Sequence, residues 1–225
     1  MKIAVIGSGI SGISAAWALH RHHEITLYEK ENRLGGHTHT HDLAVSGTEY
    51  RIDSGFIVHN PGNYPLFSAF LSELGVETKD TEMSFSAHNR SLGMYYNARD
   101  FGTLFCQKRN LLSLEFWRML KEIKRFYAEC PKLLASRDDG PTLGEYLAEN
   151  NYGRYFTDNH LIPMASALWS SPSASILDFP AKYLVAFMAN HHMLQISGRP
   201  VWRVLAGGSS SYIEQVQSRW NVDVR

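Results

Sequence analysis

The sequence predicts an α/β fold in which a strand, loop, helix and strand at the start are interrupted by a long, mostly helical stretch and resumed at the end. Three observations carry this. Lys2–Ile6 is a short apolar run that meets the glycine triplet Gly7, Gly9 and Gly12, which opens an alanine-rich helix over residues 13–19. A second run, Glu24–Tyr28, ends on the acid Glu29. Near the end come a strand over 201–205, a tight loop over 206–209, a helix to about residue 220 and a strand at Val222–Val224. Such a tail can rejoin the first sheet.

The opening elements have a specific physics. Gly7 lets the chain turn sharply off the first strand. Gly9 leaves bare backbone for a diphosphate to approach. Gly12 lets the helix pack close to the strand. The helix start, Ile10 and Ser11 included, then directs free N–H groups and a positive dipole end at the phosphates. Glu29 lies seventeen residues beyond Gly12, where a carboxylate can accept hydrogen bonds from ribose hydroxyls. The pair Gly35-Gly36 follows six residues later and favours FAD over NAD. A Rossmann-like FAD-binding domain is therefore expected over residues 1–68 and 200–225, with a mostly helical α+β substrate domain inserted over 69–199.

The remaining elements follow from local pattern. His37, His39 and His41 alternate with threonines and read as one strand face; Ser46-Gly47 turns the chain into a strand over 48–52. Asp53 to Gly55 is a polar break before a short apolar strand over 56–58. Asn60-Pro61-Gly62-Asn63 is a turn, and Leu66, Phe67, Phe70, Leu71 and Leu74 recur at helical spacing up to the stop at Gly75. Residues 76–97 alternate as strands around a turn at 89–93. From Leu114, residues Phe116, Met119, Leu120, Ile123, Phe126 and Tyr127 form one apolar helix face opposite Lys121, Glu122, Lys124 and Arg125. Thr142 and Glu145 have capping-box spacing. Helices are expected over 155–168 and 181–193, joined by a Ser/Pro-rich link at 170–175, and Ser210 or Ser211 is the expected cap of the last helix.

Composition sets the outer bounds. At 225 residues the chain can bury a sizeable core, and its 22 basic and 22 acidic residues balance. A broad basic field for nucleic acid is thereby excluded. Cys106 and Cys130 form no C-x-x-C pair and read as buried small hydrophobes in a cytoplasmic, reducing setting. No run approaches a membrane span, and the first strand leaves no room for a signal peptide; peripheral membrane contact stays open.

Residues 28–38, with Glu29, Lys30, Arg33, Gly35, Gly36, His37 and Thr38, resemble the flavin-containing amine oxidase superfamily. Residues 53–58, 83–86, 163–170 and 207–209 are similar to a bacterial amine-oxidase-like branch related to the oxidase domain fused to plant cyclopropane fatty acid synthases. The resemblance implies FAD as cofactor and an amine or a lipid acyl chain as substrate. It places Gly7, Gly9, Ile10, Ser11 and Gly12 on the pyrophosphate, and Glu29 on the ribose. Arg33, Gly35, Gly36, His37 and Thr38 fall on a second flavin loop, where relatives often carry arginine in place of His37. Gly55, Phe56 and Ile57 run along the ring system, with Asn60 nearby. Relatives are much longer, so the resemblance covers an N-terminal portion and supplies no catalytic residue.

Other readings of the same residues stay beside this one. Lys30 after Glu29 suits a 2′-phosphate, which keeps an NAD(P)-dependent reductase in view, and a flavin-binding module without catalysis, partnering a lipid-modifying enzyme, is the third reading. The three histidines at 37, 39 and 41 lack a carboxylate or cysteine at ligand spacing, so no metal is expected. His22-His23 and His191-His192 read as helix-end residues. The aromatic residues Phe116, Trp117, Phe126 and Tyr127, with Trp169 and Trp202, read as core. Ser170-Ser171 has no nucleophile-elbow context, and Asp138-Asp139 reads as a solvated loop.

Overall fold

The computed structural model describes the whole chain except residues 137, 139, 170–172 and 196–197. In chain order the elements are β1 (Lys2–Ile6), α1 (Ile10–Leu19), β2 (Glu24–Tyr28), β3 (Thr40–Val45), β4 (Thr48–Asp53), α2 (Pro65–Leu74), β5 (Thr78–Thr81), β6 (Ser86–Asn89), β7 (Met94–Asn97), α3 (Phe101–Leu104), α4 (Leu114–Glu129), α5 (Leu143–Glu149), α6 (Arg154–Phe156), α7 (Ile162–Trp169), α8 (Ser173–Ile176), α9 (Ala181–Asn190), β8 (Trp202–Leu205), α10 (Ser211–Gln217) and β9 (Val222–Val224). Lys108–Leu112 and Cys130–Ala135 are 3-10 turns, and Thr157–Leu161 is a π-helical turn.

The chain divides into two compact units, Met1–Glu82 with Pro200–Arg225, and Met83–Arg199. In the first unit β1, β2 and β9 form a parallel sheet in the order β1-β2-β9. The tail does rejoin the first sheet: Arg225 N–H donates to the Leu27 carbonyl, and Glu29 N–H donates to the Arg225 carbonyl. Ile13 and Trp17 of α1, Leu71 and Leu74 of α2, and Tyr212, Ile213 and Val216 of α10 close the core on one side. Burying each such aliphatic side chain contributes roughly 1.5–3 kcal/mol. Residues 69–82, expected with the second unit, fall in the first because α2 buries that apolar stripe and β5 pairs antiparallel with β8.

Several local expectations change. α1 begins at Ile10, so Gly12 lies inside its first turn. β3 starts only at Thr40, because residues 35–38 form a turn closed by Thr38 N–H on the Gly35 carbonyl. Residues 56–58 join no ladder; their backbone is held by loop contacts instead. Ser210 stands at the α10 N-cap, yet its hydroxyl makes no cap bond and meets Glu214 and Arg51.

The second unit is mostly helical, with the β6–β7 hairpin beside it. Phe116, Met119 and Phe126 of α4 are fully buried with Phe156 and Leu161. The helix expected over 155–168 is broken in the middle. Pro163 cannot donate to the Asn159 carbonyl four residues back and crowds it. The backbone widens into the π turn just before it, and the freed Asn159 carbonyl accepts the Tyr96 hydroxyl at 3.1 Å. The capping box at Thr142 and Glu145 forms as expected. Two aromatic and cysteine readings fail: Trp117 is 44% exposed, and Cys106 lies at the surface while Cys130 is buried with its thiol pushed up to about 12, chiefly by burial. His191 ends α9 with its ring nitrogen on the Phe187 carbonyl, whereas at the end of α1 that position belongs to His20, not His22 or His23. Ser170, Ser171 and Asp139 lie outside the described residues.

Candidate functional site

The site is built around the end of β1. Gly7 leaves the strand with φ +86°, a left-handed conformation that favours glycine, and its N–H donates to the Tyr28 carbonyl. A Cβ placed on Gly7 or Gly9 would meet open space, whereas one on Gly12 would overlap the Gly7 carbonyl. Gly12 is therefore the packing glycine, and among the described residues no side chain from elsewhere in the chain lies within 4 Å of a Cβ position on Gly7 or Gly9. Gly9 is the N-cap of α1 with no side-chain cap bond, and no acid lies in the first turn. The first intrahelical bond runs from Ile13 N–H to the Gly9 carbonyl, so the N–H groups of Ile10, Ser11 and Gly12 have no intrahelical partner. Open space, free donors and the positive end of a ten-residue helix together suit a diphosphate.

Glu29 sits where β2 ends, but it is not idle. Its Oε2 accepts from the Ser8 N–H at 2.8 Å and from the Ser8 hydroxyl, and its Oε1 accepts from the Glu31 N–H at 3.0 Å. The Ser8 hydroxyl first, then the Glu31 and Ser8 N–H groups, hold its carboxyl down at about 2. A carboxylate has about four acceptor positions, so ribose capture shares or displaces the Ser8 bond. Lys30 is exposed and points its ammonium at Glu31, 3.7 Å away.

The glycine-pair loop closes on this turn. Gly35 N–H donates to the Ser8 carbonyl and hydroxyl oxygens. A Cβ on Gly36 would stand 3.0 Å from Gly9 Cα, which brings the two glycine loops into contact. Arg33 is spent on the loop itself, donating to the Gly36 and Thr38 carbonyls at 2.8 and 2.9 Å. Thr38 turns inward and bonds the Tyr212 hydroxyl, so its side chain serves the core. His37 is exposed, and its carbonyl lies where a Cβ on Gly55 would sit and accepts the Phe56 N–H. His39 is pushed below its ordinary value by partial burial first, then by the charges of Arg33 and His41.

A second lock holds residues 53–57. Asp53 accepts the Ser209 N–H and the Thr40 hydroxyl, the Ser209 hydroxyl donates to the Phe56 carbonyl, and a Cβ on Gly208 would press on Thr40. The Phe56 ring packs edge-on against Phe67 and Tyr64, while Ile57 stays exposed. Asn60 is buried and accepts the Asn63 N–H; among the described residues its own NH2 and the His59 Nδ1 have no hydrogen-bond partner. Ser8, Thr40, Asp53 and Ser209 were not singled out as site residues from the sequence. Ser8 could have been, as the only hydroxyl between Gly7 and Gly9; Ser209 meets Asp53 across 156 positions, which no local pattern shows.

This strand–glycine turn–helix–strand–acid geometry defines a Rossmann-like dinucleotide-binding unit. Residues 5–74 match the family of NAD(P)-binding Rossmann-like domains. No curated protein sequence matches the chain. Among solved structures the fold is similar to that of a putrescine oxidase with putrescine bound, at TM-score 0.68 and 20% identity over 100% of this chain and 51% of that one. Cyclohexylamine oxidase from Brevibacterium oxydans aligns at TM-score 0.64 and 21% identity, over 99% and 50% of the two chains. An oxidoreductase from Methanosarcina mazei aligns at 0.57 and 19%, over 100% and 51%. The chain thus spans about half the length of these solved relatives.

Proposed function

We propose that this chain is the leading part of an FAD-dependent oxidoreductase of the flavin amine oxidase type. The observation that carries the reading is the open turn at Gly7 and Gly9 against the uncapped start of α1, with Glu29 at the end of the adjacent strand. Gly7, Gly9, Ile10, Ser11 and Gly12 receive the pyrophosphate on backbone N–H groups. Glu29 takes the ribose, sharing its acceptors with Ser8. Gly35, Gly36 and His37 wall the diphosphate, and Arg33 and Thr38 keep that wall in shape. Gly55, Phe56 and Ile57, pinned by Ser209, offer backbone to the ring system. FAD supplies the capacity to accept a hydride equivalent; the residues here bind and orient. Similarity to the folds of putrescine and cyclohexylamine oxidases supports an amine substrate, and the resemblance to the plant synthase-linked branch supports a lipid acyl chain.

The match of residues 5–74 to NAD(P)-binding domains favours a second reading, nicotinamide in place of flavin. The purified protein separates them. Flavin absorbance bands near stoichiometry support the first reading, and enhanced nicotinamide fluorescence without such bands supports the second. Gly9→Val puts a branched side chain into the space left for the diphosphate and is expected to abolish flavin retention; unchanged flavin content in that variant overturns the assignment.

A further inference from the structure

The second unit exposes a cluster of large apolar side chains that its own core does not use. Leu112 is 88% exposed, Leu114 74% and Phe101 70%; Leu111 and Trp117 are nearly half exposed. Phe101, Trp117 and Leu111 are linked in space as well as in sequence. Phe101 packs on Phe105 at 4.9 Å between ring centroids, and Phe105 packs on Trp117 at 5.2 Å. The Trp117 indole N–H donates to the Leu111 carbonyl at 2.9 Å. The presentation is rigid. Leu111 and Leu112 end the 3-10 turn Lys108–Leu112, and the Ser113 hydroxyl caps α4 on the Phe116 N–H, so Leu112 and Leu114 straddle a fixed helix start.

Charge along this segment has a clear sign. Between residues 99 and 121 there are five cations and two carboxylates, in a chain whose overall charge is zero. One carboxylate, Asp100, is held by Arg99. Arg109 is tied to the Leu92 and Gly93 carbonyls of the hairpin turn. Lys108, Arg118 and Lys121 are exposed; Arg118 and Lys121 line a depression with Arg154, Glu115 and Glu122, and Glu122 holds the Gly153 N–H. Exposed leucines and phenylalanine, an indole whose N–H is already satisfied, and exposed cations on the same segment match the layers of an anionic bilayer: acyl chains, interface and headgroups. Contiguous exposed apolar surface of this kind marks an interaction site.

We infer that the segment from Phe101 to Lys121 docks the protein on an anionic phospholipid surface, with Leu112, Leu114 and Phe101 entering the acyl boundary and Lys108, Arg118 and Lys121 against the phosphates. This inference is independent of the flavin reading, since vesicle binding needs no cofactor.

Sedimentation with vesicles tests it. The protein is expected to sediment with phosphatidylglycerol–phosphatidylcholine vesicles, more weakly with pure phosphatidylcholine, and to be released by salt. Leu112→Ser with Leu114→Ser is expected to lower partitioning on the order of tenfold per leucine, with the melting temperature unchanged because both side chains are exposed. Arg118→Glu with Lys121→Glu is expected to abolish the preference for anionic vesicles and leave the weaker neutral binding. No sedimentation of the unaltered protein, or equal sedimentation of the leucine variant, overturns the inference. So does a concentration-dependent dimer that the leucine variant loses, which assigns the patch to a second copy. Loss of vesicle binding in a longer product of the same gene also overturns it, since further chain would then cover the patch.

Discussion

Glu29 and His160 illustrate how single groups carry pH dependence in opposite environments. Glu29 is solvent-facing and ionised, its carboxyl held down at about 2 by the Ser8 hydroxyl and neighbouring N–H groups. Its folded value lies below its ordinary one, so the stability it contributes is full above about pH 4.5 and lost as the pH falls toward 2. Glu29→Gln is therefore expected to lower the urea midpoint at neutral pH, with the gap to the unaltered protein closing across that acid window. A constant gap would assign its role to shape rather than charge. His160 is buried, and burial first, then the Arg199 charge, pushes it down to about 4. Between its ordinary value of 6.5 and about 4, the unfolded chain takes up a proton that the folded chain refuses. Stability is expected to fall with pH through that range, and His160→Gln is expected to flatten the slope in pH-dependent melts.

At the scale of elements, the break between α6 and α7 shows why periodicity alone misleads. The apolar pattern over 155–168 is continuous, but Pro163 removes one donor and the backbone opens into a π turn. The tertiary partner that makes this tolerable is Tyr96, on a hairpin strand more than sixty positions away, whose hydroxyl meets the Asn159 carbonyl and His160 Nδ1. Tyr96→Phe leaves that carbonyl and ring nitrogen without the hydroxyl and is expected to cost about 1–3 kcal/mol in denaturant unfolding. The same contrast explains Trp117. Its place on the aromatic stripe of α4 suggests core, yet Phe116, Met119 and Phe126 are the buried positions with Tyr127 packed against them, and 3.6 residues per turn send Trp117, one position past Phe116, to the wet side.

At the scale of the whole molecule, the elements joined by short-range chemistry were the legible ones. The β1–α1–β2 unit, the glycine pair, α2 with its stop at Gly75 and the capping box at Thr142 all announce themselves within a few residues. The return of the tail was legible as a repeated order, and β9 does pair with β2. What could not be read are partnerships across long separations: Asp53 with Ser209, Thr38 with Tyr212, and β5 with β8, which moves residues 69–82 into the first unit. The commitment of Glu29 to Ser8 was equally hidden, because the same acid at the same spacing suits either a sugar or a clamp.

The pairing of Arg225 with Leu27 and Glu29 sets an order of events at the ribosome. While the chain is being made, the opening strands and their helix emerge first, but the backbone that steadies the acid arrives some two hundred residues later. A nascent chain therefore holds the glycine turn and Glu29 without their third strand throughout the synthesis of the entire second unit. On the proposed reading, capture of the nucleotide waits for β9, and loss of those few residues produces a defect at the glycine turn, some two hundred positions away in sequence.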